Sequence, residues 1–103
     1  MNIKAVLLAS QKTLIAVERH YPGIEPRQWP KGRPANLECD RDLLVADAVW
    51  TLHRIPAMID AKDSDKAMHS LGTCQAVLWL MSVIEQSELE SINRTAVAES
   101  AAA

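Results

Sequence analysis

Pro22, Pro26, Pro30 and Pro34 stand at every fourth position of "YPGIEPRQWPKGRP", residues 21 to 34, in a chain that otherwise reads as helix. Each proline lacks an amide donor and moves the residue before it out of the α region. No full helical turn fits between prolines so spaced. Residues 21 to 36 are therefore expected to be extended, in part as polyproline II. The expected role is a proline-rich strap across the outside of the fold, pinned by Ile24 and Trp29 with Tyr21 at its start. The spacing is not PxxP, which disfavours an SH3-type ligand. A long connection in a small domain is functional or mobile, and Trp29 argues for an ordered one. A stiff loop also loses less entropy on binding, so packing against the helices and contacting a partner are compatible roles.

Either side of this segment, apolar residues recur at steps of three and four, the period of an amphipathic helix. Helices are expected over about residues 2–20, 37–60, 64–85 and 88–97. In the first, Ile3, Leu7, Ser10, Leu14 and Val17 form one stripe flanked by Val6, and Leu8 and Ile15 a second. The second has Leu44, Ala48, Leu52, Ile55 and Ile59 on one face, flanked by Val45 and Val49. Asn36 is its expected cap, and Pro56 is expected to kink it without ending it. The third, capped by Asp63 or Ser64, carries Ala67, Leu71, Cys74 and Leu78 on one stripe. It turns apolar nearly all round from Ala76 to Ile84, which predicts cover on several sides. Gly72 and Ala76 in that helix suggest a close backbone approach. "SELE" matches a capping box, with Ser87 at the cap and Glu90 three residues later. Leu89, Ile92 and Val97 would then point inward.

The 103 residues fit one domain, residues 1–98, with 99–103 as a frayed tail. The expected fold is all-α: a bundle of three main helices plus a short C-terminal one. Aromatics are only Tyr21, Trp29, Trp50 and Trp79, so the core must be aliphatic. The surplus of apolar faces makes a homodimer an expected partner arrangement.

Eleven basic residues against thirteen acidic ones give a net charge of −2. That balance disfavours non-specific phosphate binding. The charge is uneven, with Arg19, Arg27, Lys31 and Arg33 clustered before an acidic stretch over residues 36–65. Cys39 and Cys74 have no CxxC spacing, which disfavours a disulfide framework or a zinc site. Free thiols, no signal-peptide pattern and no long apolar run point to a cytoplasmic protein without a membrane span. His20, His53 and His69 form no metal-binding spacing. No nucleophile motif or Gly-rich phosphate loop occurs. The expectation is a non-enzyme with no metal and no cofactor.

Two clusters stand out as contact residues: Arg27, Trp29, Lys31 and Arg33 on the strap, and Trp50 and Arg54 on the second helix. Trp and Arg dominate binding hot spots. A protein partner is the first expectation, and a nucleic acid or nucleotide held by the basic strap is the alternative. A helix-turn-helix is disfavoured, because the third helix offers Lys66, His69, Ser70 and Thr73 but no Arg.

At "DLLVADAVWTLHRIP", "LGTCQAVLW" and "SELESINR" the chain resembles small uncharacterised helical proteins carried by tailed phages and prophages, over residues 43–95. The resemblance implies an accessory protein of a phage or mobile element, a class that often acts by binding host or phage proteins and modulating a host or defence factor.

Overall fold

Asn2 opens the first helix by accepting the Ala5 amide on its side chain at 2.8 Å. In the computed structural model, which describes residues 1–102, this helix, α1, spans Ile3–His20. It is followed by α2, Arg41–Asp60, α3, Ser64–Leu80, and α4, Gln86–Ala102. Among the described residues there are no strands. The Cα radius of gyration is 13.4 Å, which is the size of a compact chain of this length.

α2 lies along α3, α1 lies along α4, and α1 also touches α2 and α3. The reason α1 meets three neighbours is the size of its residues. Its buried positions are Ala5, Val6, Ala9, Ser10, Thr13, Ala16 and Val17. Small side chains let the other helices approach. Of the expected stripes, Ser10, Val17 and the flanking Val6 are buried, while the rest is corrected: Leu7 and Leu14 sit half-buried at the margin, and Ile3 and Ile15 are exposed. The expected stripes of α2 and α3 are found in the core, where Leu52, Ile55 and Leu78 are fully enclosed.

One polar group crosses this core. The Gln75 amide and the Asn93 amide exchange two hydrogen bonds, at 2.8 and 2.9 Å, between α3 and α4. Gln75 Nε2 also lies 3.2 Å from Thr13 Oγ1 on α1. Thr13 in turn donates to the Ala9 carbonyl. Three helices are fixed in register by groups that are all satisfied.

Several boundaries differ from expectation, each for a local reason. α2 starts at Arg41 because Asn36 organises a turn instead of a cap. Asn36 Oδ1 accepts the Glu38 amide and its carbonyl accepts the Asp40 amide. α2 continues unbroken through Pro56. It ends where the Lys62 amide bonds the Ile59 carbonyl and the Asp63 amide bonds the Met58 carbonyl, with Lys62 left-handed at φ 64°. This is the paired closure of a Schellman motif. Asp63 then caps α3 by accepting the Lys66 amide.

α3 closes in the same way at Leu80 rather than near 85. Ser82, at φ 60°, bonds the Trp79 carbonyl, and Val83 bonds the Leu78 carbonyl. Val83 is buried, supplying the apolar contact that accompanies such a turn. The apolar run from Ala76 is therefore not covered all round: Met81, Val83 and Ile84 are buried, while Trp79 and Leu80 are 49% and 57% exposed. Gly72 is also corrected, since a Cβ there would meet nothing within 4 Å.

α4 begins with the Glu88 and Leu89 amides on the Glu85 carbonyl, so Ser87 lies inside the first turn rather than at the cap. The helix extends through Ala102 and takes in most of the tail expected to fray; Ala103 lies outside the described residues. Ala96 is buried where Val97 was expected, and Val97 is exposed. No helix is long and apolar enough to cross a membrane among the described residues.

Candidate interaction face on the connection, α2 and α3

The connection between α1 and α2 is irregular from Tyr21 to Asp40. Gly23, left-handed at φ 80°, turns the chain away from α1. Ile24 packs against the core. The Arg27 amide then bonds the Ala46 carbonyl at 3.1 Å, and the Trp29 amide bonds Asp47 Oδ1 at 2.8 Å. Two backbone donors two residues apart thus meet successive residues of α2.

Beyond Trp29 the segment closes on itself. The indole Nε1 donates to the Arg33 carbonyl at 2.7 Å, and the Arg33 guanidinium lies over the indole at 5.3 Å. The same guanidinium pairs with Asp40 at 2.5 Å. Asp40 is buried and its second oxygen accepts the Asn36 amide. Trp29 is half-buried, while Arg27 and Lys31 are exposed. Of the four residues of this segment singled out in the sequence, Trp29 and Arg33 are brought together with much of their polar capacity used internally. Arg27 and Lys31 face water.

Trp50 and Arg54 lie three and seven residues after Asp47, on the side of α2 turned away from its core stripe. The Arg54 guanidinium stacks over the Trp50 ring at 4.6 Å. Arg54 has no carboxylate within 4 Å among the described residues. This leaves a cationic group and a half-buried indole on one ridge, beside the point where the connection meets the helix.

On the α3 side of Asp47 is a pocket of about 160 Å³. Asp47 and Thr51 from α2 line it together with Ser70, Thr73 and Cys74 from α3. Cys74 is 3% exposed. Burial first, and then the nearby Asp47 carboxylate, push its thiol from the ordinary 9.0 up to about 12, against an opposing hydrogen bond from Thr51. The thiol keeps its proton and is a poor nucleophile.

Elsewhere the titratable groups serve the surface. Tyr21 donates to Asp42, which pushes its hydroxyl above the ordinary 10.0. Arg41 stacks over the same ring and donates to the Met81 carbonyl. Glu88 holds both Arg19 and His20 across α1 and α4. Among the described residues no group of three or more His, Cys, Asp or Glu is placed to hold a metal ion.

Asp47 is not among the contact residues named from the sequence, and Ser70 and Thr73 enter there only as what the third helix would offer to DNA. The available signal was that polar side chains flank Cys74 and Leu44 on the two stripes that face each other. Set against family models, curated proteins and solved structures, the chain matches none.

Proposed function

We propose that this is a small non-enzymatic accessory protein, of a phage or mobile element, that acts in the cytoplasm by binding another protein. In this reading the helices form a bundle and residues 21–36 are a stiff strap laid over it. The contact face combines Trp50 and Arg54 with the strap residues Arg27, Trp29, Lys31 and Arg33. The observation that carries the reading is the Trp50–Arg54 stack: an arginine without a carboxylate partner among the described residues, on an indole, beside a segment anchored through Trp29. Such pairs are the residues that most often anchor protein interfaces. The resemblance to phage accessory proteins supports the same direction.

The test is capture from host lysate followed by mass spectrometry, with Trp50→Ala and Arg54→Ala. Each change is expected to weaken capture by roughly thirtyfold, the effect of losing about 2 kcal/mol at a hot spot. Capture that survives the double change removes this face from the proposal. The nucleic-acid alternative has less support, because Arg33 is already paired with Asp40. A salt-dependent shift of labelled DNA or RNA would revive it.

Self-association is a second reading, favoured by the exposure of Met68, Trp79 and Leu80 on α3. About a two-fold axis near Gly72 and Ala76, Met68 of one copy would meet Leu80 of the other. A solution mass of one chain at high concentration would end it.

A further inference from the structure

We propose that the pocket between α2 and α3 receives a lysine side chain, a primary ammonium on an aliphatic stem, presented by a polypeptide partner. The role of that partner rests on the function proposed above; the chemistry of the pocket rests on its own residues.

Size sets the first limit. At about 160 Å³ the pocket is well below the roughly 300 Å³ at which drug-sized and cofactor sites begin. It is of the order of a cavity that holds one benzene ring, about 150 Å³. One side chain fits and a nucleotide does not.

Charge sets the second. Asp47 is the carboxylate of the pocket and His69 lines it as well, but no cationic side chain lies within 4 Å of Asp47 among the described residues. The neighbouring thiol of Cys74 is neutral. A carboxylate at a partly enclosed site favours a cation over an apolar or anionic occupant.

Donor geometry chooses between cations. Asp47 Oδ1 already accepts the Trp29 amide, which disfavours the two-pronged carboxylate contact that a guanidinium prefers. An ammonium has three donors and needs separate acceptors. Besides Asp47, the hydroxyl-bearing residues Thr51, Ser70 and Thr73 line this one space, with Thr51 also bonded to the Cys74 thiol. Leu44, Ala48 and Val77 line the same pocket, a surface for the methylene stem.

The experiment titrates N-acetyl-lysine methylamide into the ¹⁵N-labelled protein, with the norleucine and arginine analogues as comparisons. The expected result is a saturable set of amide shifts at millimolar lysine analogue, centred on Asp47, Thr51, Ser70 and Thr73. The norleucine analogue should give none and the arginine analogue weaker ones. Asp47→Asn keeps the acceptor for the Trp29 amide and removes the charge. It should weaken lysine binding at least about tenfold, which corresponds to about 1.4 kcal/mol. Thr73→Val should weaken it too, with the Trp29 amide resonance in place as the sign of an intact fold. Absence of saturable shifts, equal shifts from norleucine, tighter binding of arginine, or an unaffected Asp47→Asn variant would each overturn the assignment. A lysine response without any captured protein would retire the proposed function and leave the pocket. Capture that needs Trp50 and Arg54 without a lysine response would do the reverse.

Discussion

Cys74 and Cys39 are chemically unlike, and the difference is measurable. Cys39 is exposed and Cys74 is buried. Ellman's reagent should therefore titrate one thiol in the native protein and two after unfolding. The raised thiol also sets a pH dependence. Between about pH 9 and 12 the unfolded chain loses this proton while the folded chain keeps it, so stability falls as pH rises. The slope from this group is at most about 1.4 kcal/mol per pH unit. Urea melts at pH 8, 9 and 10 should show the decline, and Cys74→Ala should flatten it. Gln75 is the other informative residue. Truncation to Ala leaves Asn93 and Thr13 short of a partner and should cost about 1–3 kcal/mol. A double-mutant cycle with Asn93→Ala should show coupling of about 1 kcal/mol or more. The pairing of Gln75 with Asn93 is not legible in the sequence, because it depends on the approach of α3 to α4.

The helices themselves were legible where periodicity governs and illegible where backbone conformation does. The Ala67, Leu71, Cys74 and Leu78 stripe was readable because burial follows the helical repeat. The end of α3 was not, because Ser82 takes a left-handed position that glycine usually marks. Lys62 hides the end of α2 in the same way. Lys62→Gly and Ser82→Gly should each therefore stabilise the protein, by up to about 1 kcal/mol, as the left-handed strain is relieved. Gly72 runs the other way. It sits in α3 with open space around its missing side chain. Gly72→Ala should raise stability by about 0.5–1 kcal/mol in a denaturant melt. A loss on that substitution would show that another chain approaches there.

At the scale of the molecule, composition and period sufficed for an all-helical chain, and the prolines for a break between the first two helices. The assignment of faces on α1 holds for Val6, Ser10 and Val17 and fails for Ile3 and Ile15, because size does not decide burial there. Ala5, Ala9, Thr13 and Ala16 join Val6, Ser10 and Val17 in the core, since α1 must lie close to three helices at once. The candidate face was half legible: Trp29, Arg33, Trp50 and Arg54 carry the chemistry of recognition in their side chains alone. The link from Asp47 to the connection is not legible in the sequence, because its partner is a backbone amide eighteen residues earlier. The central claim is that this proline-spaced segment is held on α2 as a preformed surface. Native-state hydrogen exchange of the Arg27 and Trp29 amides tests it most directly. Both should exchange orders of magnitude more slowly than an open loop, and Asp47→Ala should release Trp29 first. Exchange of both amides at the rate of an unfolded chain would contradict the account.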